Sequence, residues 1–345
     1  MALLLNYRPV LRQPSGIGVV ANALLPALQQ LPHVLVPGGE QGTAKQRLHR
    51  LAWTQLALPR LAQRQQASLI FTPAPEGYLG AQAIPQVVMV HDLRPISHPE
   101  RSLQSVYFRS WVPSLLRQCR HILTNSQFTA SEIHRLTGVA HDRITVIPLG
   151  YDAEAFRPDL SSVETEERPY FLHVGQAYPH KNLSRLIRAF APLAAQHCAL
   201  RLVLAGKPHP TETSRLKALV EELGLGEQVD FRPYVSFEEL PGLYRRALAL
   251  VYPSLWEGFG LPLLEAMACG TPVLTSFGSG TEEVAGNAAF LINPLDLGAL
   301  STALSELFHQ SALRGDLRCR GLVRVGAFGW DQARVQAQHL IAQLM

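Results

Sequence analysis

The feature that most restricts the fold is an alternation that runs through the chain twice. Short apolar runs at Leu3–Leu5, Val34–Val36, Leu69–Phe71, Val87–Val90, Ile122–Leu123 and Ile144–Ile147 alternate with stretches of helical period. Those stretches are Val19–Gln30, Lys45–Gln65, Leu103–Arg120 and Thr129–Leu136. Short continuous apolar runs read as strands buried on both faces, and the helices between them supply the crossovers that parallel strands need. Pro148, Pro158 and the acidic run Glu164-Thr165-Glu166-Glu167 then break the pattern, as a linker does. It restarts with strands at Tyr170–Val174, Leu200–Ala205, Val229–Phe231, Ala249–Tyr252 and Val273–Thr275. Helices are expected at Leu183–Ala195, Glu212–Leu223, Phe237–Ala247 and Leu261–Cys269. The chain of 345 residues is too long for one core. The expectation is an α/β fold with two doubly wound, Rossmann-like parallel-sheet domains and ligand sites outside the carboxyl ends of both sheets.

Composition narrows the function classes. A hydrophobic content of 47% with 17% charged residues excludes a disordered chain. The opening run Ala2-Leu3-Leu4-Leu5 is broken by Asn6 and Arg8, too short for a signal-peptide core or a membrane span, so a cytoplasmic location is expected. Cys119, Cys198, Cys269 and Cys319 are far apart and show no metal or redox spacing. Charge is uneven: residues 1–150 carry 14 Lys/Arg against 6 Asp/Glu, and residues 151–345 carry 17 against 21. The two halves therefore meet different partners. Between Gln41 and Pro75 there is no acid, and Lys45, Arg47, Arg50, Arg60 and Arg64 interleave with Leu48, Leu51, Trp53, Leu56 and Leu58. Such a segment, 45–64, either lies on an anionic membrane, as at the inner face of the plasma membrane, or packs its leucines on the sheet as an ordinary surface helix. No nucleic-acid recognition motif accompanies the basic residues.

The segment Tyr252-Pro253-Ser254-Leu255-Trp256-Glu257-Gly258-Phe259-Gly260-Leu261-Pro262-Leu263-Leu264-Glu265 follows a strand and opens a helix. Gly258 and Gly260 clear side chains from a tight turn, and Pro262 suits a first helical turn. The helix start offers unpaired N–H groups and a partial positive charge to a diphosphate. Glu257 and Glu265 flank it as acceptors for vicinal hydroxyls. Two glutamates with seven residues between them resemble the signature of the retaining GT-B glycosyltransferases of family 4, the glycosyl transferases group 1, with mannosyltransferase-like segments. The resemblance implies two domains facing across a cleft: 1–160 for the acceptor, 161–327 for the nucleotide sugar, and a terminal helix 328–345 crossing back. It also implies that Glu257 binds donor-sugar hydroxyls, that Gly258, Phe259, Gly260 and Leu261 bind sugar and phosphate through their backbone, and that Glu265 binds the ribose.

Other segments extend the resemblance. Val174-Gly175-Gln176-Ala177-Tyr178-Pro179-His180-Lys181-Asn182 is similar to the family's phosphate loop, with Lys181 against the leaving diphosphate and Asn182 placed to cap the next helix. Many members carry an Arg in this loop where this chain has Gln176 or His180, and Lys207 is a candidate substitute. Ser15-Gly16-Ile17-Gly18 resembles the N-terminal glycine loop, placing Gly16 and Gly18 near the donor phosphate. His91, in Val90-His91-Asp92-Leu93, matches a histidine that contacts the donor sugar near the reacting carbon. Asp92 buttresses that loop, and Ser126 reads as an N-cap. The resemblance implies base recognition largely through backbone near Arg232 to Val235, with Tyr234 and Val235 among the donor-binding residues. Thr281-Glu282-Glu283-Val284 reads as structural.

No carboxylate pair of the glycosidase kind announces itself, and the resemblance implies front-face displacement without a covalent intermediate. No Asp-x-Asp pair occurs in the chain, so no metal and no cofactor is expected beyond the substrate, a GDP- or UDP-linked sugar. The resemblance to mannosyltransferase members implies GDP-mannose ahead of UDP-glucose as donor, and a glycan or lipid-linked acceptor is expected. A non-catalytic sugar-nucleotide-binding protein is the alternative. A nicotinamide-dependent dehydrogenase is disfavoured because Gly16 and Gly18 are followed by Asn22 where a third glycine belongs.

Overall fold

The computed structural model describes residues 2–11, 16–39, 43–81, 83–99, 102–159 and 169–345. Ser15, Gln41, the acidic run from Glu164 to Glu167 and the expected boundary at 160/161 lie outside the described residues. Two compact units are present: Met1–Gly150 together with Gly329–Met345, and Tyr151–Phe328.

The first unit is built on six parallel strands: β1 (Ala2–Asn6), β2 (His33–Val36), β3 (Ala67–Thr72), β4 (Gln86–Val90), β5 (His121–Thr124) and β6 (Ile144–Val146). Their order is β2-β1-β3-β4-β5-β6. The second unit has β7 (Tyr170–Val174), β8 (Arg201–Ala205), β9 (Val229–Arg232), β10 (Ala249–Tyr252), β11 (Val273–Ser276) and β12 (Phe290–Ile292), in the order β12-β11-β10-β7-β8-β9. In each sheet the chain winds outward in one direction and then in the other. The direction changes between β1 and β3 in one unit and between β7 and β10 in the other, and crevices open at such points. Every expected strand is present. β12 escaped notice because three residues are too short a run to register.

Helices differ from expectation where proline intervenes. The stretch 45–65 is two helices, Ala44–Leu56 and Leu58–Arg64, and 103–120 is Leu103–Ser110 and Val112–Gln118. Pro59 and Pro113 each occupy the second position of the later helix, where a missing N–H costs nothing but cannot continue the preceding ladder. Pro241 likewise delays the helix expected from Phe237 until Leu240–Arg246. Helices Leu297–His309 and Ser311–Arg324 follow β12.

Packing follows the helical period. Helix Leu183–Gln196 buries Leu183, Leu186, Ile187, Phe190, Leu193 and Ala194 against Phe171, Leu202 and Leu204 of the second sheet. Truncating any of the large ones to alanine costs about 2–5 kcal/mol. In the first unit, helix Trp330–Leu344 lays Ala333, Ala337 and Ile341 on helix Ile17–Leu28. Arg334 Nε donates to the carbonyl of Ala23 at 2.8 Å. Gly150, where the chain leaves this unit, lies so close to Trp330 that a Cβ would stand 2.3 Å from its nitrogen. Among the described residues, no helix is long and apolar enough to cross a membrane.

Candidate functional site

The β7–β10 crevice brings two of the sequence motifs into contact. The loop after β7 carries Lys181 and the loop after β10 carries Glu257, and Lys181 Nζ donates to Glu257 Oε1 at 2.6 Å. The same ammonium donates to Tyr252 Oη at 2.6 Å. Main-chain contacts lock the loops together: Leu255 N donates to His180 O at 2.8 Å, and Asn182 Nδ2 donates to Pro253 O at 3.1 Å. Asn182 also donates to Pro294 O at 2.8 Å and accepts from Arg185 Nη1 at 2.7 Å. It therefore ties three loops and does not cap its helix with its side chain, contrary to expectation. The left-handed backbone it adopts turns that side chain toward the neighbouring loops.

Burial sets the electrostatics. Desolvation opposes the Lys181 charge, but the Glu257 carboxylate and the Tyr252 hydroxyl overcome it and leave the ammonium harder to deprotonate than a free lysine. Tyr252 is raised by burial and then by Glu257. His173, fully buried in β7, stacks on the Tyr252 ring with centroids 5.3 Å apart. Burial holds it down to about 4, so the ring is neutral near pH 7. Its Nδ1–H donates to Val251 O at 3.0 Å, which leaves Nε2 as a bare acceptor without a partner.

The glycine turn behaves as the spacing requires. Gly260, at φ +114°, is the residue before helix Leu261–Ala268, and no side chain caps that helix start. A residue other than glycine would be strained there. Phe259 is buried and meets Phe328 edge-on at 5.9 Å, which anchors the turn, and Gly258 and Gly260 are buried on either side of it. Glu265 lies farther along the same helix. Burial pushes its carboxyl up to about 7, against the Tyr244 hydroxyl, which donates to it at 2.8 Å.

The remaining predicted residues fall as follows. Gly175 borders the Lys181 ammonium, and a Cβ at Gly206 would stand 2.1 Å from Gly175 O, so the loops after β7 and β8 touch. Lys207 follows with an exposed side chain, and its carbonyl accepts from Ala177 N at 3.3 Å. Tyr234 is exposed and Val235 half-buried after β9.

In the first unit Gly16 precedes helix Ile17–Leu28 at φ +45°, and Gly18 is buried in its first turn. His91, after β4, donates from Nε2 to Pro73 O at 3.0 Å, and Asn125 Nδ2 donates to His91 O at 3.1 Å. Burial lowers the His91 pKa and keeps the ring neutral. Asp92 Oδ1 accepts from Arg94 N at 3.0 Å, and Ser126 Oγ from Thr129 N at 3.0 Å, as the loop and cap readings require. Glu282 accepts from Gly278 N at 2.7 Å, a structural contact.

Sequence reasoning passed over His173 and Tyr252. Their one signal is a polar ring inside an otherwise apolar strand, next to Gly175 in one case and opening the glycine motif in the other. Among the described residues, no group of three or more His, Cys, Asp or Glu side chains is placed to hold a metal ion.

Residues 158–321 match the family model for glycosyl transferases group 1, and residues 14–155 match that for Glycosyltransferase Family 4. The O-antigen chain mannosyltransferase RfbU of Salmonella typhimurium is 34% identical over 222 residues, 64% of this chain and 60% of the relative. The O-antigen chain mannosyltransferase B of Escherichia coli is 31% identical over 274 residues, 76% of this chain and 71% of the relative. Among solved structures, sucrose-phosphate synthase from Thermosynechococcus elongatus superposes with a TM-score of 0.81 over 100% of this chain and 99% of that one, at 21% identity. The fold is accordingly of the GT-B class, two doubly wound parallel-sheet domains.

Proposed function

Because the chain belongs to the glycosyl transferases group 1 family, we propose that it moves mannose from GDP-mannose to a hydroxyl of a polysaccharide or lipid-linked glycan. In this reading the configuration at C1 is retained and no divalent metal takes part. The observation that carries it is the Lys181–Glu257–Tyr252 cluster in the β7–β10 crevice, in a chain similar to two O-antigen chain mannosyltransferases.

The cluster suggests how the chemistry proceeds. Lys181 and Glu257 neutralise each other in the unliganded chain, which avoids a buried unpaired charge. The donor diphosphate takes over Lys181, supported by the Leu261 N–H at the helix start after Gly260. Glu257 is then released to accept hydrogen bonds from sugar hydroxyls. The acceptor oxygen attacks C1 from the face that the diphosphate leaves. The C1–O bond to phosphate breaks, the C1–O bond to the acceptor forms, and the acceptor proton passes to the departing phosphate oxygen. Lys181 stabilises the charge developing on that oxygen, and the protein otherwise supplies position.

On the acceptor side, Leu48 and Leu56 are exposed on helix Ala44–Leu56, which suits peripheral contact of 45–64 with an anionic membrane. Leu58 is fully buried and packs inward.

The deciding experiment is a thermal-shift and transfer panel of GDP-mannose, UDP-glucose, UDP-N-acetylglucosamine and ADP-glucose, with the anomeric configuration of the first product read by NMR. GDP-mannose should give the largest shift and an α-linked product. A β-linked product, or no turnover of any donor with glycan acceptors, refutes the reading.

A further inference from the structure

Glu265 differs from the other acids held inside the two units. Glu257 has Lys181 at 2.6 Å, and in the first unit Glu76 has Arg50 and Glu132 has Arg135, each at 2.6 Å. Glu265 has no ion pair among the described residues. Burial raises its carboxyl, and the Tyr244 hydroxyl, donating to Oε2 at 2.8 Å, draws it back. Among the described residues no hydrogen bond takes Oε1. A largely buried carboxyl without a cation costs stability unless its open oxygen meets a donor.

Tyr244 is placed to hold one oxygen and leave the other. Its side chain is fully buried in helix Leu240–Arg246 and meets the Phe156 ring edge-on at 6.0 Å. Burial, and then Glu265, keep the phenol protonated well beyond its usual range, so it faces the carboxyl as a donor. Thr271 Oγ1 donates to Tyr244 O at 2.7 Å, while Thr271 N donates to Ala266 O at 2.9 Å. Tyr244 is therefore joined to the Glu265 helix twice, once through its ring and once through its main chain. On helix Leu261–Ala268 only Leu261, Pro262 and Glu265 are partly exposed, and residues 261 and 265 lie one turn apart. With Oε2 tied on the buried side, Oε1 is the oxygen left to a ligand on the open face.

We propose that Tyr244 is a positioning residue for the donor nucleotide: by occupying Oε2 of Glu265 it aims Oε1 at a ribose hydroxyl. The ribose rests on the transferase reading above, whereas the Tyr244–Glu265 clamp stands on its own contacts.

The measurement is the ratio of affinities for a nucleoside diphosphate and for its 2′,3′-dideoxy analogue. It is taken by calorimetry on the full chain, with guanosine and with uridine diphosphate, so that the base does not decide it. The wild type should favour the ribose form about 10- to 100-fold, the worth of one or two hydrogen bonds to a charged group. Glu265→Leu should abolish that preference. Tyr244→Phe keeps the ring and its packing, and should narrow the preference about 3- to 10-fold with the dideoxy affinity unchanged. A loss of folded fraction weakens both ligands alike and cancels in the ratio. In Tyr244→Phe/Glu265→Leu, which strands no polar atom, the ratio should equal that of Glu265→Leu alone. A wild-type ratio in Tyr244→Phe, or an equal weakening of both ligands there, overturns the proposal and leaves the donor reading intact. A further fall in the double variant shows that Tyr244 acts by another route and also overturns it. An unchanged ratio in Glu265→Leu removes the ribose contact and the proposal together, and failure of both diphosphates to bind the wild type refutes the donor reading itself.

Discussion

The two sheets carry opposite kinds of chemistry on their carboxyl edges. Along the second, a buried lysine and glutamate balance each other beside a tyrosine and a neutral histidine. Along the first, the hydrogen bonds that tie the strand ends join neutral groups: Asn6 to Thr72, His91 to Pro73, and Asn125 to His91. The first unit instead pairs its buried charges to one side, Arg50 with Glu76 at 2.6 Å, between helix Ala44–Leu56 and the segment after β3. A balanced buried pair can trade partners with a diphosphate and a sugar without either charge being stranded. Neutral groups at the strand ends can hold a reacting hydroxyl without competing for its proton.

The sharpest way to break this contrast is at Lys181. Lys181→Ala should lower kcat by ~10²–10³ through the lost leaving-group cation. It should also destabilise the fold by about 3–5 kcal/mol, because Glu257 is left buried and alone. Denaturant unfolding separates the two losses: Lys181→Met/Glu257→Leu should recover stability and remain inactive. Near wild-type turnover in Lys181→Ala would show that the diphosphate lies elsewhere. His91→Ala, among those neutral groups, should cost roughly tenfold in kcat/KM, the scale of one neutral hydrogen bond. A loss as large as that of Lys181→Ala would erase the distinction.

A third test uses pH. Glu265 is raised to about 7 by burial, so the folded chain holds this proton more tightly than the unfolded one. The stability it contributes is fully present below the ordinary carboxylate range and is lost as pH rises through about 7. The wild-type Tm should therefore fall relative to Glu265→Gln between about pH 4.5 and pH 7 and level off above that, and parallel profiles would mean that Glu265 is solvated. The smallest expected effect is none at all: EDTA should leave turnover unchanged, and a strict Mg²⁺ or Mn²⁺ requirement would overturn the metal-free mechanism.

How much of this was legible in the sequence depended on distance along the chain. Strands buried on both faces announce themselves as unbroken apolar runs, so β1 through β11 were readable and only the three-residue β12 was not. Helix limits failed at Pro59, Pro113 and Pro241, where a proline that starts one helix was read as lying within another. The glycine turn and its glutamates were visible because they follow a strand directly. The Lys181–Glu257 contact was not, since its partners lie 76 positions apart and meet only through the β7–β10 pairing, which no local pattern encodes. The Asn182 ties are of the same kind.

The first unit is assembled from two stretches of chain, with the whole of the second unit inserted between Gly150 and Gly329. During synthesis the inserted unit is complete while its host still lacks the helix Trp330–Leu344 that covers helix Ile17–Leu28. The apolar flank of helix Ile17–Leu28 must therefore wait, uncovered, until residues 329–345 leave the ribosome. That interval is when a chaperone has most to protect.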